Sequence, residues 1–359
     1  MRKLIPIIIS CFLLSGCWDE ILYKELTISP LAGLDGKPGE ITVYFAYPVF
    51  SEDSISYSTA VGKGVSLRAA RNNTFSHTNE MLDVSQLEVF IISAEAAESN
   101  IYNHMEVLYR APRTRLSGRV VIIKEKTSDH FDIAETLPGN APDFYTGLLE
   151  TSIDFSMIPD YNLQQTAKVL FDDAMDLALP ALQLSQESGL PEVSGVALFN
   201  GKKFSGHYLD LTESRILTVL QKKGRKKYAQ FTYQWAHEGI KYPITVEYSS
   251  LDRKWAISNE KIEASYKFKF GIEEFTYSHS KDKEIMKEVE QFLSKELTKD
   301  FQDVIDKLQE AKSDAVGFGQ HVRAFHQPLW NQGDWSETFS EMDIKINVEA
   351  DIVRSGILN

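Results

Sequence analysis

The chain has 359 residues, of which 43% are hydrophobic and 25% charged, with a formal charge of −13. These proportions are those of a folded globular protein. The acidic balance excludes a nucleic-acid binder and broad electrostatic adhesion to anionic lipid.

Arg2 and Lys3 open the chain, and Leu4 to Leu14 is almost wholly apolar. That run has the length of a signal-peptide core and falls short of the roughly 20 residues a membrane-spanning helix needs. Ser15 and Gly16 are small, and Leu14-Ser15-Gly16-Cys17 resembles the bacterial lipobox. In such signals the cysteine sulfur is acylated, with chains such as palmitate, and cleavage leaves it as the new N-terminus. Residues 1–16 are therefore read as a lipoprotein signal peptide and Cys17 as the lipidation site. Cleavage removes the only other cysteine, Cys11, and takes the charge from −13 to −15 with the loss of Arg2 and Lys3. No internal disulfide is then available, so the core alone must hold the fold. One acyl chain binds a bilayer only marginally, so stable anchoring implies at least two.

From Glu25 to Val49 short strands alternate with turns; "ITVYFAYPVF" (Ile41 to Phe50) is the clearest strand, and "LDGKPGE" before it is turn chemistry. "SLRAARNNTF" reads as a helix. "LEVFIIS" (Leu87 to Ser93) and "RVVIIKE" (Arg119 to Glu125) are buried strands, and Ile101, Met105 and Leu108 between them keep helical spacing. Strand, helix and strand with short links predict a βαβ unit in a mixed sheet. Two more helices are expected, Pro142 to Glu150 and Leu163 to about Leu182. Asn200-Gly201 between two apolar runs is a hairpin signal. "ILTVL", "YAQFTYQW", "ITVEYSS" and "EASYKFKFGIEEF" read as further strands.

A long amphipathic helix from about Lys281 to Lys312 follows, with Val289, Phe292, Leu293, Leu297, Phe301, Val304, Ile305 and Leu308 on its apolar face. Ile344, Ile346, Val348 and Ala350 then alternate with polar residues, as in a half-exposed antiparallel strand. This strand is expected under the helix, with Phe292, Phe301 and Ile346 buried. The fold class is α+β and multidomain. A mixed α/β N-terminal domain (17–185) precedes a β-rich middle domain (186–280) and a C-terminal helix-and-strand region (281–359), where the helix packs on an antiparallel sheet.

No catalytic constellation emerges. The eight histidines are scattered, and His321 and His326 fit neither a zinc helix nor a cysteine-assisted metal site. Gly62–Gly64 and Gly317–Gly319 lack the context of a dinucleotide loop, the latter falling after a helix, and are read as turns. There is no Gly-x-Ser-x-Gly elbow and no cysteine nucleophile after cleavage. A cofactor, a metal and an enzymatic activity are therefore not expected. Two candidate contact regions remain. Lys222, Lys223, Arg225, Lys226 and Lys227 surround Gly224 between two apolar runs, as a solvated tip or as a contact for a partner's acidic groups. Trp330 and Trp335 either cap the C-terminal core or face a partner, and their large apolar area favours the core. Arg110 to Arg115 suits a helix C-terminus.

"GCWDE", "LEVFIISAEAAE", "YRAPRTRLSGRVVIIKEKTSD", "SGVALFNGKKFSGHYLDLTES" and "DAVGFGQHVRAFHQPLWNQGDW" together resemble the Ger(x)C-type spore germination lipoproteins. Their order and spacing carry the likeness from Cys17 nearly to the C-terminus, most strongly at Gly195–Gly206 and Asp314–Trp335. The resemblance implies three mixed α/β domains and the C subunit of a nutrient germinant receptor. It also implies a non-enzymatic role, with lipid anchoring on the outer face of the spore inner membrane beside integral-membrane A and B subunits. Two other functions suit an anchored chain of this size. A solute-binding lipoprotein should show repeated βα units in two lobes, and a cell-wall hydrolase should show a paired acid and base in a cleft.

Overall fold

The computed structural model describes residues 26–51, 55–221, 229–258, 261–277 and 282–354. The signal peptide, Cys17 and the basic run Lys222 to Lys227 lie outside the described residues. Fourteen strands are described: β1 (Leu26–Ile28), β2 (Leu31–Lys37), β3 (Glu40–Phe50), β4 (Ile55–Gly64), β5 (Met81–Asp83), β6 (Val89–Ser93), β7 (Arg119–Ile123), β8 (Ala178–Leu184), β9 (Pro191–Asn200), β10 (Lys203–Leu209), β11 (Gln230–His237), β12 (Ile240–Ile257), β13 (Lys261–Phe275) and β14 (Asp343–Arg354). They form an eight-stranded sheet in the order β10-β9-β8-β7-β6-β2-β3-β4, a four-stranded sheet β11-β12-β13-β14, and a parallel pair β1-β5.

The large sheet is parallel at its centre and antiparallel at its flanks. β2, β6, β7 and β8 run the same way, whereas β3–β4 and β9–β10 turn back as hairpins. Strands buried on both faces must be apolar throughout. β6 is wholly buried and β7 nearly so. The helix Ile101–Arg110 between them, capped by the Asn100 side chain, buries Ile101, Met105 and Leu108, and completes the expected βαβ unit.

The four-stranded sheet carries the helix Lys283–Glu310 on one face. Its residues Val289, Leu293, Leu297, Phe301, Val304, Ile305 and Leu308 are buried. Phe301 meets Tyr266 and Phe268 at ring-centroid distances of 5.8 Å each. Phe292 is half-buried, edge-on to Tyr233, and Ile346 is buried. The same helix also seals the outer edge of β14. The N–H groups of Ile346, Val348, Ala350 and Ile352 donate to Gln302 Oε1 (3.0 Å), Thr298 Oγ1 (3.0 Å), Ser294 Oγ (3.0 Å) and Glu290 Oε1 (2.8 Å). Acceptors every four residues along the helix thus answer donors every two residues along the strand.

Three expected elements are corrected. The helix beginning at Leu163 ends at Leu170, and the apolar run after it is the buried strand β8. Pro180, within that run, lacks the N–H a helix interior requires. "ILTVL" belongs to the helix Leu211–Leu220, because Asp210 and Glu213 form a capping box ahead of it. β14 pairs parallel with β13, not antiparallel, because the long helix carries the chain back across the sheet between them. Strands from the 186–280 segment therefore fall in two sheets, β9 and β10 joining the large one.

Two histidines are buried in the large-sheet unit. His104 Nε2 lies 2.8 Å from Ser99 Oγ and 3.2 Å from the Ala96 carbonyl, while its Nδ1 has no partner. His130 Nδ1 lies 2.8 Å from the Tyr145 hydroxyl. Burial, the largest influence, pushes both rings below their ordinary value of 6.5.

The packing of the long helix yields a first expectation. Phe301→Ala should cost about 3–5 kcal/mol, and Thr298→Val, which strands the Val348 N–H, about 1–3 kcal/mol. Urea unfolding measures both, and a wild-type midpoint for either would refute the corresponding contact. The histidines yield a second. Below the ordinary histidine pKa the unfolded chain takes up protons that the buried rings refuse. Their contribution to stability is therefore present above that value and lost as pH falls. His104→Leu should lessen the fall in Tm between about pH 7 and about pH 5; a profile parallel to wild type would contradict it.

Candidate functional site: the aspartate junction

The two sheets are joined at a pair of aspartates. Asp176 immediately precedes β8, and Asp314 follows the long helix in "SDAVGFG". Asp176 N–H donates to the Asp314 carbonyl (3.1 Å), and Asp314 N–H donates in return to Asp176 Oδ2 (2.8 Å). Gly201 N–H, in the β9–β10 turn, donates to Asp176 Oδ1 (2.7 Å).

Asp314 is fully buried and its carboxylate accepts four bonds. Gly317 N–H (2.8 Å) and Phe318 N–H (3.1 Å) reach Oδ1, while Gly319 N–H (2.6 Å) and the Trp335 indole N–H (2.9 Å) reach Oδ2. Burial pushes both carboxyl groups up, Asp176 to about 7, and the N–H groups around them act in the opposite sense. Two glycines make the ring of donors possible. Gly317 has φ +88°, which L side chains rarely adopt. A Cβ on Gly319 would stand 2.4 Å from Trp335 Nε1 and 2.7 Å from the Ala174 carbonyl. Gly317–Gly319 therefore opens the helix Phe318–Phe325 and aims its first N–H groups at a carboxylate. This corrects its reading as a plain turn.

Trp335 is 6% exposed, and Trp330, half-buried, lies 5.9 Å from it between ring centroids. The Arg323 guanidinium sits 5.7 Å over the Trp330 ring and pairs with Asp172 at 2.7 Å. Beside the junction a cleft of about 360 Å³ is lined by Asp172, Lys202, Trp330, Asp334 and Ser336 among others. The chemistry of the junction is positional. All four lone-pair sites of Asp314 are taken by N–H donors, which leaves it no vacant site for a substrate proton. Sequence reasoning missed Asp176 and Asp314. The usable clue was an aspartate followed at three and five residues by glycines.

A second concavity of about 810 Å³ opens beyond the carboxyl ends of β2, β6 and β7, lined by Asp35, Lys37, Glu95, Lys124, Glu125 and Asp129 among others. Open α/β sheets commonly take ligands at this position. Here Asp35 is already engaged, accepting from Thr127 N–H (3.1 Å) and Thr127 Oγ1 (2.7 Å). Glu125 accepts the Leu184 N–H at 3.1 Å. Among the described residues no group of three His, Cys, Asp or Glu is placed to hold a metal ion. None of their helices is long and apolar enough to cross a membrane.

Residues 19–184 match the family model of the spore germination protein N-terminal domain, and residues 194–356 match that of the spore germination B3/GerAC-like C-terminal domain. The chain belongs to this spore germination family. Its relatives in Bacillus subtilis (strain 168) include spore germination protein KC, 20% identical over 98% of this chain and 95% of that protein. The putative spore germination protein YfkR is 19% identical over 99% and 97%. Spore germination protein B3 is 37% identical over 22% of each chain. The fold matches the crystal structure of the GerBC protein with a TM-score of 0.58 and 19% identity, covering 90% of this chain and 97% of that one. The family is one of membrane-associated germinant receptor subunits of the C type, with an α+β fold. The segments Gly195–Gly206 and Asp314–Trp335 meet at the aspartate junction.

The junction is expected to be a stability element. Trp335→Phe keeps a ring but removes the N–H donated to Asp314, and should cost about 1.5–3 kcal/mol. Gly319→Ala should destabilise further, through its clash with Trp335 and the Ala174 carbonyl. Thermal unfolding measures both, and an unchanged transition in either variant would exclude the junction as a stabilising contact.

Proposed function

We propose that the chain is a lipid-anchored, non-enzymatic C subunit of a nutrient germinant receptor. It is held through acylated Cys17 on the outer face of the spore inner membrane and works there with integral-membrane A and B subunits. The observation that carries this reading is the match of two germination domain models in order along the chain, behind a lipobox-like Leu14-Ser15-Gly16-Cys17. The junction supports an assembly or signalling role, since its buried carboxylates are committed to backbone donors and join two units. Lys222, Lys223, Arg225, Lys226 and Lys227 are proposed contacts for acidic groups of a partner, and half-buried Trp330 is proposed as a further partner contact. Trp335, being buried, would act through its bond to Asp314.

Two tests bear on this. Cys17→Ala should abolish labelling by a fatty-acid probe and release the chain from the membrane fraction; a labelled variant would refute the anchor. Spores lacking the chain, and any redundant receptor, should lose their nutrient response without losing a hydrolytic activity. A normal response would refute the receptor role. Pull-down from membranes separates this function from a solute-binding lipoprotein or a cell-wall hydrolase by showing whether integral subunits accompany the chain.

A further inference from the structure

The edge of a sheet presents a row of unpaired N–H and C=O groups, which a chain must either block or offer to another strand. Most edges among the described residues are blocked. β14 is met by the polar row of the long helix. In β4 the Lys63 N–H donates to Asn73 Oδ1 (3.1 Å) and the Val61 carbonyl lies 2.8 Å from His77 Nε2, with residues 134–136 packed against the strand. β10 is bulged between Phe204 and Tyr208, where Gly206 has φ +84°. β1 and β5 have only three residues each. β11 has none of these protections. It pairs with β12 from Gln230↔Glu247 to His237↔Ile240 without a bulge, and "QFTYQWA" (Gln230 to Ala236) holds no charge, proline or glycine.

The phase of the ladder shows which groups are open. Tyr248 N–H donates to the Ala229 carbonyl (3.5 Å), so odd-numbered residues of β11 turn their backbone groups to β12. Gln230 is in the outward phase, and its carbonyl accepts Arg215 Nη1 (2.9 Å). Thr232, Gln234 and Ala236 follow in that phase. All three are exposed, and among the described residues nothing bonds the N–H and C=O groups that they turn away from β12. Over about 13 Å the edge thus offers three donors and three acceptors in line.

The neighbouring helix selects what fits there. Phe231 and Tyr233 turn their side chains to the face that the long helix covers, where Phe231 meets Phe301 at 6.4 Å and Tyr233 lies edge-on to Phe292 at 6.3 Å. The Tyr233 hydroxyl donates to Asp300 Oδ2 (2.8 Å), and His237 Nδ1 is 3.6 Å from a Glu288 carboxylate oxygen. Glu288, Phe292, Glu296 and Asp300 therefore form a second row at four-residue spacing, on the flank opposite the row that serves β14. Lys295 and Lys299 share this flank, but Lys299 is held by Asp303 (3.1 Å), and the carboxylates outnumber them. A strand laid on β11 sets alternate side chains beside this flank, where lysine or arginine meets carboxylates. A second copy of the chain would bring another acidic flank against it.

We propose that β11 is a docking edge, which accepts an extended segment of a partner protein with basic side chains at alternate positions as a fifth strand of the small sheet. Main-chain bonds along Thr232, Gln234 and Ala236 supply affinity, and the acidic flank of the long helix supplies selectivity. The inference rests on the assembly reading for the existence of a partner, and adds the surface and the chemistry by which one is held.

The test reads hydrogen exchange at single amides of the full mature chain, with an acetylated and amidated heptapeptide of alternating lysine and threonine as the probe. In the free chain the Thr232, Gln234 and Ala236 amides should exchange at least about a hundredfold faster than those of Phe231 and Tyr233, which face β12. Probe at about ten times its dissociation constant should slow the three outward amides about tenfold and leave the inward ones unchanged. Gln234→Pro removes an outward N–H without touching the β11–β12 ladder, and should abolish the slowing. Glu296→Lys, which melts as wild type should Gln234→Pro fold poorly, should weaken binding at least about fivefold. Outward amides that stay fast at about 10 mM probe, or that a glutamate–threonine heptapeptide slows equally, would overturn the proposal. Slowing that grows with protein concentration and no probe would also overturn it, making a second copy the occupant. Each of these results leaves the receptor reading to the spore assays, which decide it separately.

Discussion

The structure turns on one buried charge. Asp314 lies in the protein interior, where an unpaired carboxylate is strongly unfavourable. It is tolerable there because three backbone N–H groups and the Trp335 indole converge on it. That convergence dictates the local sequence. The left-handed backbone at Gly317 turns the chain so that successive N–H groups face inward, and Gly319 leaves room for the indole. Just after the long helix has been ended by the left-handed backbone at Lys312 (φ +50°), the carboxylate in turn holds Trp335 through its indole N–H. Through the reciprocal bonds between Asp314 and Asp176 it joins the small sheet to the large one.

A second constraint governs the edges. An open sheet edge invites further strands, and β14 is an edge strand with apolar residues along it. The long helix removes that risk through a coincidence of rises. Four helical residues advance about 6.0 Å and two strand residues about 6.6 Å. Glu290, Ser294, Thr298 and Gln302 can therefore follow four alternate N–H groups of β14 with little drift. Polar residues on a flank of an otherwise amphipathic helix read as solvent-facing in the sequence, yet here they take the place of a fifth strand.

The legible parts of the sequence were those with a single physical interpretation. β6, β7 and the helix between them follow from apolar runs separated by a 3.6-residue period, and the Asn200-Gly201 turn follows from its backbone demand. The long helix was legible from its apolar face, with Phe292 less buried than the period suggests because it lies at the margin against Tyr233. Failures came where period is ambiguous. "ILTVL" and "LALPALQL" are short apolar runs that suit helix and strand alike; the capping residue Asp210 and the helix-breaking Pro180 decided them in opposite directions. Strand direction at β14 depends on the connection across the sheet, which alternation does not encode. The aspartate junction was illegible for a further reason. Its two halves are 138 positions apart, and in an acidic chain nothing local separates Asp176 or Asp314 from their solvated neighbours.

The polarity of the large sheet distributes what remains. Three features gather at the amino ends of the parallel strands: the first described residues ahead of β2, Asp176 ahead of β8 and the Gly201 turn. The broad concavity lined by Asp35, Lys124 and Glu125 lies at the opposite, carboxyl ends. β2, β6 and β7 connect the two ends through strands of five to seven residues, about 17–23 Å. Parallel strands packed on both faces transmit displacement along their length more readily than loops do, because close-packed interiors yield little. The arrangement thus sets the aspartate junction and the broad concavity at the two ends of one stiff element.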